Sequence, residues 1–504
     1  MTQQITILAK LSYGLPRLAA AALGQMHVLS RHLRHHFSVF ERLGIPGPKP
    51  FLFFGNLPEI LKKGQLQAII DWEKQYGRIF GYFEGYEPVL EVSDPALLRE
   101  ILVKDSENFQ SRKPFPLAPK NSLGLFLENG HQWKRSRSIL SPAFSSGKLK
   151  QMYHIMHENV DQLLQNIGQK AKTRETFDSY NLYQCLTLDV IGRCAFGLQT
   201  NAQQDNSDPF LANIRDLFDR ISKTIILPLV MLFPFISHFI FALKNIVVLF
   251  GMNPVVWLRT QMKEVLNIRR KLGAGSLTFD LVQQMLFNGS QSMSEREIVA
   301  QSMTFLLAGY ETTSAVLAFL CNTLALHPGV QEKLCDEIDM VIGEDSVTYE
   351  SIKDLHYFDM VIDEVCRLYP TASLIVTRKA KETKTYGDIT IPAGMNIQAN
   401  VWALHHDSDF WTQPNEFIPE RFAPENKDKI IPYSFLPFGA GPRNCIGSRF
   451  ALIETKCAIA RVLQKYRFEA VSQTKKDLAL ECRGAIIPRD GVHVKVKARP
   501  FREE

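Results

Sequence analysis

Ten residues near the C-terminus constrain the fold more than any other feature of the chain. Residues 438–447 read F-G-A-G-P-R-N-C-I-G and set one cysteine in a glycine-rich turn. Residues 448–464, directly behind the turn, have a helical pattern. Gly441 and Gly447 would allow backbone conformations and close approaches that a side chain forbids. The sequence therefore predicts a tight turn that presents the Cys445 thiol just ahead of a helix.

The position of Cys445 favours a thiolate that faces a large flat partner. Exposed N–H groups and the dipole at a helix N-terminus favour the anionic form of a thiol. Arg443, two residues earlier, is placed to meet a ligand carboxylate. A haem supplies both the flat face and the carboxylates, and thiolate is a known axial ligand of haem iron. The alternative, a buried thiol beside a tight turn, does not account for five fixed positions within ten residues.

The turn resembles the haem-binding signature of the cytochrome P450 superfamily, F-x-x-G-x-R-x-C-x-G. Five further segments resemble other motifs of the family, in the family's order: I-P-G-P at 45–48, W-K-R-S-R at 133–137, A-G-Y-E-T-T at 308–313, E-V-C-R at 364–367 and P-E-R-F at 419–422. Together the motifs cover roughly residues 41–500. Within the superfamily, the chain most resembles the microsomal, family 3-like clan that oxidises drugs and steroids.

The resemblance implies the cytochrome P450 fold, which is mainly α-helical with a small segregated β region and a long central helix. A length of 504 residues alone suggests several domains, but no linker, repeat or low-complexity tract divides the chain. We therefore expect one large haem-thiolate monooxygenase domain at residues 41–504. Residues 1–40 are expected to form an apolar and basic membrane-association segment, a weak anchor.

Local patterns predict the central helix. Ser294 and Glu297 form an S-x-x-E capping box ahead of an apolar-periodic run that ends at residues 327–328. The run predicts a helix of about 32 residues, nearly 50 Å long. Glu311 and Thr312 at its middle argue against a transmembrane helix and favour a buried one.

The strand signals fall in three regions. Residues 45–110 predict short strands and turns with one helix, including a small sheet at 79–92. Residues 371–402 predict a second strand region, and residues 484–498 predict a terminal hairpin.

Composition excludes several classes of function. A net charge of +6 without a basic stripe interleaved with aromatics is not typical of nucleic-acid binding. Eight cysteines without a C-x-x-C pair argue against a disulfide scaffold or zinc site and indicate a reducing compartment. No G-x-G-x-x-G follows a predicted strand, so electrons are expected from a separate protein.

The N-terminal segment leaves the mode of membrane attachment open. Residues 5–30 are mostly apolar, but Lys10, Pro16 and Arg17 make them a poor span. A weak signal-anchor, an interfacial helix and an atypical leader are all compatible with this pattern. The basic residues at 31–36 favour a catalytic domain on the cytosolic side.

A second apolar run covers residues 225–257. Pro228, Pro234 and Pro254 interrupt it, so a continuous spanning helix is not expected. The resemblance places this run between two helices that roof the substrate pocket, where it dips into the membrane. Buried core is the alternative interpretation.

Glu311 and Thr312 are the predicted catalytic pair. Splitting dioxygen requires protons at its outer oxygen, and the resemblance assigns their delivery to a hydroxyl and an adjacent acid. Ala308 and Gly309 are small and are expected to leave room beside the helix. Thr312 alone would more often bond a carbonyl of its own helix without a chemical role.

The remaining site residues follow from the resemblance. Glu364 and Arg367 share a helix face and are expected to bind Arg421 inside the protein, as a network that fixes the cysteine loop. The haem contacts are expected from Arg112, Trp133, Arg137, Arg378, Phe438, Gly441, Arg443 and Gly447. An apolar substrate pocket is expected from Phe115, Leu125, Phe126, Ala308, Leu374, Ile375, Ile486 and Ile487.

The resemblance implies a monooxygenase with haem b, iron protoporphyrin IX, ligated by the Cys445 thiolate. One oxygen atom of O2 would enter a lipophilic small molecule, with electrons from NADPH through a separate flavoprotein reductase, and cytochrome b5 as a further partner. The expected location is the endoplasmic reticulum membrane, with the catalytic domain in the cytosol.

Two other functions stay open at this point. Some relatives rearrange or dehydrate lipid peroxides without O2 or a reductase, and they can dispense with an acid–threonine pair. A non-enzymatic haem protein that stores, senses or binds ligands does not need the pair either. The presence of both Glu311 and Thr312 argues against these alternatives.

Overall fold

The computed structural model describes residues 25, 27–115, 123–224, 226–233, 253–272, 280–286 and 293–499. Much of the predicted membrane-association segment, residues 1–24 and 26, lies outside the described residues. Residues 225 and 234–252 of the second apolar run also lie outside them, so their predicted placement is not addressed.

Most of the described chain is α-helical, which confirms the mainly-α prediction. The helices are residues 27–37, Val39–Arg42, Leu57–Lys63, Gln65–Tyr76, Pro95–Arg99, Gly130–Leu140, Ser146–Thr173, Ser179–Phe196, Pro209–Lys223, Ile226–Leu232, Pro254–Leu272, Leu281–Leu286, Glu295–Leu326, Pro328–Val341, His356–Leu368, Val401–His406 and Ser448–Lys465. Short 3₁₀ turns lie at Ser141–Phe144, Ser351–Lys353, Pro419–Phe422 and Pro424–Lys429, and Glu100–Lys104 forms a π-helical turn.

The central helix, Glu295–Leu326, has the predicted length of 32 residues. Its capping box is formed, because Ser294 Oγ accepts from the Glu297 N–H and the Glu297 carboxylate accepts from the Ser294 N–H at 2.7 Å. The helix is long and apolar enough to cross a membrane, yet 67% of its most apolar window is buried inside the protein. The prediction of a buried central helix is confirmed.

The strands form small separate sheets. They are β1 Ile79–Glu84, β2 Glu87–Val92, β3 Phe177–Asp178, β4 Thr377–Lys379, β5 Lys384–Tyr386, β6 Ile389–Ile391, β7 Asn396–Ala399, β8 Tyr466–Ala470, β9 Leu480–Cys482, β10 Ile486–Pro488 and β11 His493–Ala498. The largest sheet has the order β1-β2-β7-β4, in which β2 and β7 are parallel. The other described sheets are β3-β11-β8, β10-β9 and β5-β6.

The strand predictions hold in two regions and fail in the third. β1 and β2 pair antiparallel within residues 79–92, and β4 to β7 lie within residues 371–402. The terminal hairpin prediction was wrong, because β10 pairs with β9 while β11 pairs with β8 and β3. Residues 45–110 also contain more than the one predicted helix.

The cysteine loop, residues 438–447, and the residues just before it lie between two hydrophobic cores. The larger core surrounds the central helix, and Phe435 and Ile446 pack against it. The second core lies beneath the largest sheet and includes Leu436, with Tyr433 and Ala440 packed against it. Both cores therefore hold the backbone on either side of Cys445.

Candidate active site

Backbone hydrogen bonds fold the cysteine loop into the predicted tight turn. The Cys445 N–H donates to Phe438 O at 2.9 Å, and the Asn444 N–H donates to Gly441 O at 3.0 Å. Gly441 has φ +72°, and a Cβ there would lie 1.8 Å from Leu102 O. Only glycine fits this position, so the prediction for Gly441 is confirmed.

The corresponding prediction for Gly447 was wrong. Gly447 has φ −92°, which any residue adopts, and a Cβ there would meet only Phe144 Cε1 at an ordinary 3.9 Å. The loop's second left-handed glycine is instead Gly439, with φ +69°. Gly447 caps the helix Ser448–Lys465, and its contact with a cofactor stays a prediction.

Cys445 lies in the cysteine loop just ahead of the helix Ser448–Lys465. Its side chain has accessible surface, yet loss of solvent around it raises the pKa of the thiol. The N–H groups of Gly447 and Ser448 and the charges of Arg137 and Arg112 act in the opposite direction. The helix terminus thus favours the thiolate as predicted, while burial acts against it and is the larger of the two effects.

Three arginines converge beside the cysteine loop. Arg378 and Arg443 are buried, and Arg112 is half-buried. Burial and then repulsion from neighbouring arginines lower the pKa of Arg443 to about 8 and that of Arg378 to about 9. Burial also lowers the pKa of Arg112 to about 10. Clustered buried cations are unfavourable alone, so this site favours an anionic ligand.

Several donors of this arginine cluster have no acceptor within the part of the chain that the structure describes. They are Arg112 Nε, Arg443 Nε and Arg443 Nη1. Other donors bind backbone carbonyls: Arg112 Nη1 donates to Ile375 O at 2.5 Å, and Arg378 Nη1 donates to Thr377 O at 2.8 Å. Because the planar guanidinium pairs well with carboxylates, the cluster fits the carboxylates of a haem.

Trp133 and Arg137 complete this side of the loop. The Arg443 guanidinium lies 4.4 Å from the Trp133 ring centroid, a cation–π contact. Arg137 donates to the backbone O and the Oδ1 of Asn444, both at 2.9 Å. Arg137 therefore holds the residue directly before Cys445. Contact of these two residues with haem carboxylates stays a prediction.

At the middle of the central helix, the predicted pair Glu311 and Thr312 lie in different surroundings. Ala308 is exposed and Thr312 is half-exposed, although most of the helix is buried. The Thr312 hydroxyl donates to Ala308 O at 2.7 Å, the ordinary bond of a helical threonine. Glu311 is 4% exposed and accepts a hydrogen bond from the Tyr180 hydroxyl. Burial raises the pKa of Glu311 to about 6.

Gly309 does not face the same space as Ala308. A Cβ at Gly309 would lie 3.0 Å from Ile191 Cγ1 on the helix Ser179–Phe196. The expectation that Gly309 leaves room for a substrate was therefore wrong. Its small size lets two helices pack closely.

One cavity joins the central helix to the cysteine loop. Its lining residues come from the central helix, the helix His356–Leu368, the segments before the loop and the helix behind it; they are Thr312, Thr313, Val316, Ile362, Cys366, Pro370, Thr371, Pro437, Phe438, Ala451, Leu452 and Thr455. Thr312 and Phe438, predicted from separate motifs, thus border the same space.

Glu364, Arg367 and Arg421 form the predicted internal network. Arg367 Nε and Nη2 donate to the two carboxylate oxygens of Glu364 at 2.7 and 2.8 Å, and both side chains are fully buried. Arg421 Nε donates to the same carboxylate at 3.2 Å. Arg367 Nη1 also donates to the carbonyls of His405 and Pro414, each at 2.7 Å. The network ties distant segments together around one buried carboxylate.

His405 links this network to the cysteine loop, and the sequence analysis missed it. The Leu436 N–H donates to His405 Nε2 at 2.9 Å, so that nitrogen carries no proton. Its Nδ1 lies 3.2 Å from Arg367 O, to which it donates. Burial holds the pKa of the ring well below its usual value. Nothing in the sequence distinguishes His405 from the adjacent His406.

The predicted substrate residues lie in several environments. Phe126 stacks under Arg112 at 4.6 Å, and the Leu125 N–H donates to Gln301 Oε1 of the central helix at 2.8 Å. Leu374 packs against the cluster beneath β1, and Phe115 is 41% exposed. Ile486 and Ile487 are buried in β10. Contact of any of them with a substrate stays a prediction.

Comparisons with known proteins agree with this site. The sequence model of the Cytochrome P450 family matches residues 45–496. Cytochrome P450 3A13 of Mus musculus is 36% identical over 479 residues, which cover 92% of this chain and 93% of that protein. Cytochrome P450 3A6 of Oryctolagus cuniculus is 35% identical over 470 residues, and Cytochrome P450 3A7 of Homo sapiens is 34% identical over 472 residues; each match covers 92% of this chain and at least 92% of the relative.

The family match covers most of the chain and includes every element of the site. An accessible cysteine in a tight loop and a buried arginine cluster with unpaired donors fit the sulfur ligand and the carboxylate partners that a haem requires. The chain belongs to the cytochrome P450 family and is a haem-thiolate monooxygenase with Cys445 as its iron ligand.

Proposed function

We propose that this monooxygenase oxidises a lipophilic small molecule with electrons from NADPH, delivered by a separate flavoprotein reductase. The observation that carries the proposal is the cavity bordered by both Thr312 of the central helix and Phe438 of the cysteine loop. A polar hydroxyl is thereby placed opposite the cysteine loop, and the buried acid Glu311 directly precedes it on the central helix. When bound, the haem supplies oxygen binding and O–O cleavage, which a thiolate ligand favours.

The protein's part in the reaction is to deliver protons and exclude bulk water. Thr312 is positioned to hold a water or an oxygen ligand at the cavity wall, once its hydroxyl turns from Ala308 O. Glu311, with a pKa of about 6, gains and loses a proton near neutral pH. The pair therefore suits repeated proton delivery to one face of the cavity.

The substrate class follows from the side chains around the cavity. Val316, Ile362 and Leu452 line its wall. Ala308, one turn before Thr312 on the central helix, is exposed. Phe126, Leu374 and Ile375 lie on segments that carry or contact the arginine cluster. Such apolar surroundings with few polar groups favour a lipophilic substrate.

The reductase is proposed to dock on the cysteine side, and cytochrome b5 is proposed to use the same face. Lys134 and Arg449 are exposed there, on the helix that holds Asn444 through Arg137 and on the helix behind Cys445. Basic residues on this face complement an acidic electron donor and speed its association.

Membrane attachment is proposed at the turn between β1 and β2. Three segments meet there: the Tyr86 N–H donates to Met231 O at 2.9 Å, the His36 ring stacks on Tyr86 at 4.0 Å, and Gly55 pairs with Glu84. These segments carry exposed apolar side chains, namely Val28, Leu29, Phe51, Leu52, Phe53, Phe54, Ile226 and Leu229. Clustered exposed apolar residues are typical of a membrane contact.

The location that follows is the endoplasmic reticulum membrane, with residues 41–504 as a catalytic domain on the cytosolic side. Residues 1–40 would form the membrane-association segment that precedes the contact at the β1–β2 turn.

The experiment that tests this function uses the full chain with haem, a flavoprotein reductase and lipid vesicles. A panel of lipophilic compounds is incubated with NADPH under ¹⁸O₂, and products are identified by mass spectrometry. Incorporation of one ¹⁸O atom per product supports the proposal. Turnover of a lipid hydroperoxide without NADPH favours a peroxide isomerase or dehydratase, and the absence of any product favours a haem protein without this activity.

A further inference from the structure

A group of charged side chains lies on the solvent side of Glu311. Arg483, in the turn between β9 and β10, forms ion pairs with Asp219 at 2.5 Å and with Glu481 at 2.9 Å. Asp219 belongs to the helix Pro209–Lys223. The three side chains are 24%, 45% and 28% exposed, so water reaches this group.

Tyr180 lies between this charged group and Glu311. It occupies the first turn of the helix Ser179–Phe196 and is 8% exposed. Its hydroxyl donates to the Glu311 carboxylate, and Tyr180 also interacts electrostatically with Arg483. Arg483 in turn interacts with the Glu311 charge. A line of polar groups therefore connects solvent to the buried acid.

Two other side chains near Glu311, Tyr310 and Arg215, interact with it by charge and make no hydrogen bond to its carboxyl among the described residues. Tyr310 precedes it on the helix, but the Tyr310 hydroxyl has no hydrogen-bond partner among the described residues. Arg215, on the helix Pro209–Lys223, interacts with Glu311 by charge and donates to Asn181. Among the described residues, Tyr180 is the group hydrogen-bonded to the carboxyl of Glu311.

We propose that Tyr180 is a positioning residue for Glu311, and that Tyr180 and the Arg483–Asp219 pair form the outer part of the route by which protons enter. This inference rests on the proposed role of Glu311 in proton delivery. In each transfer, the Tyr180 hydroxyl proton passes to the Glu311 carboxylate. The Tyr180 oxygen takes a proton from a hydronium ion at the charged group, which is left as water, so the tyrosine stays neutral and one proton moves inward.

The direction of the expected change follows from the groups that face Glu311. The Tyr180 hydroxyl, Arg215 and Arg483 favour its ionised form, whereas burial and Asp219 oppose it. Removing the hydroxyl leaves a buried carboxylate without its donor, so its pKa rises. We expect a rise of about one unit, since hydrogen bonds to charged groups are the stronger ones.

The test compares Tyr180→Phe with Tyr183→Phe in the full-length haem protein. Tyr183 lies one turn along the same helix, is fully buried, and bonds Cys321 Sγ at 3.0 Å, so it controls for loss of a buried hydroxyl. The carboxyl stretch of Glu311 is followed by infrared spectroscopy across pH and identified by its absence in Glu311→Gln. Tyr180→Phe should raise the titration midpoint of the Glu311 carboxyl by about one pH unit, while Tyr183→Phe should leave that midpoint unchanged.

A second readout is the fraction of NADPH electrons that reach product, with its solvent isotope effect. Tyr180→Phe should lower this fraction several-fold and increase the isotope effect, and Arg483→Gln should act in the same direction more weakly. The proposal would be overturned if Tyr180→Phe and Tyr183→Phe had the same Glu311 titration midpoint and the same fraction of NADPH electrons in product. If Tyr180→Phe fails to retain haem, Arg483→Gln decides the question, because an unchanged Glu311 midpoint there contradicts a connected route.

Failure of the proposed function gives a different result. If Glu311→Gln leaves coupling unchanged, Glu311 does not deliver protons, whatever Tyr180 does. The infrared midpoint in Tyr180→Phe still shows whether Tyr180 controls the protonation of Glu311.

Discussion

Two buried carboxyl groups, Glu364 behind the cysteine loop and Glu311 in the central helix, are held in different ways. On the cysteine side, Glu364 accepts hydrogen bonds from Arg367, Arg421 and the Ile418 N–H, and its side chain is fully buried. On the helix side, Glu311 accepts from Tyr180, and its charged neighbours lie further out. The first carboxylate is fixed in place by several donors, whereas the second keeps its capacity to exchange protons.

This difference indicates a structural role for Glu364 and a role in the reaction for Glu311. A carboxylate bound by two guanidinium groups crosslinks segments that are distant in sequence and holds the loop that carries Cys445. A buried acid with one hydroxyl donor has a raised pKa and changes charge near neutral pH. We therefore expect substitutions on the cysteine side to affect haem binding and stability, and those on the helix side to affect the reaction.

The largest expected effect is that of Cys445→Ala. The thiolate is lost, and no other described cysteine is exposed on the cysteine loop to replace it. We expect complete loss of thiolate-ligated haem, measured by the spectrum of the reduced carbon monoxide complex. Cys482→Ala serves as the control, because Cys482 is only partly exposed in β9. An unchanged spectrum in Cys445→Ala would refute the ligand assignment.

Arg367→Ala tests the structural role of the network. It leaves the Glu364 charge buried with fewer donors, which typically costs about 3–5 kcal/mol. We expect a lower free energy of unfolding and a smaller haem-loaded fraction, measured by denaturation and by haem content. Arg220→Ala removes an arginine from an exposed ion pair with Asp216 and should change neither quantity. Equal effects of the two variants would contradict the role given to Arg367.

His405→Phe tests whether the network reaches the cysteine loop through His405. The Leu436 N–H and Arg367 O lose their partner inside the protein, which costs about 2–4 kcal/mol. We expect weaker haem retention, measured as the rate of haem transfer to an apoglobin acceptor. His406→Phe is the matched control. Within the part of the chain that the structure describes, the His406 side chain bonds only Trp402 O of its own helix and stacks on the Trp402 ring. A larger effect at His406 would exclude the link.

The sequence predicted features that depend on short-range patterns. The capping box at Ser294 and Glu297 fixed the start of the central helix, and its continuous apolar run predicted burial. The predicted terminal hairpin failed because strand pairing is non-local: β11 follows β10 in sequence but pairs with β8 and β3. Local alternation indicates that a strand forms, but it does not identify the partner strand.

The site shows the same limit. The spacing of Glu364 and Arg367 placed them on one helix face, and the family resemblance supplied their burial. Tyr180 and His405 were missed because their decisive contacts, with Glu311 and with the Leu436 N–H, join positions 131 and 31 residues apart. Gly447 was misjudged because a glycine in a motif does not reveal whether φ is positive.

Glu311→Gln tests whether the ionised carboxylate of Glu311, buried in the central helix, lowers the stability of the protein. The pKa of Glu311 in the folded protein is about 6, above its usual 4.5. The folded state therefore binds the Glu311 proton more tightly than the unfolded state does, and the stability that this contributes is fully present below pH 4.5. That stabilisation is lost as pH rises through 6, at a cost of about 2 kcal/mol. We expect Glu311→Gln to gain stability relative to the parent protein between pH 4.5 and 7.5, measured by thermal unfolding. A difference that does not vary with pH would place Glu311 outside a buried environment.

Thr312→Ala has the smallest expected effect on the structure. It distinguishes a role in the reaction from a role in stability most directly. Among the described residues the Thr312 hydroxyl bonds only Ala308 O of its own helix, so its loss should leave haem content and unfolding unchanged. If the hydroxyl holds a water or an oxygen ligand, electrons are diverted to peroxide and coupling of NADPH to product falls several-fold. Thr304→Ala removes the same type of bond, to Ala300 O at 2.9 Å, two turns earlier and should not change coupling. Equal coupling in both variants would leave Thr312 with the role of an ordinary helical threonine and would assign the chemistry of this side to Glu311 alone.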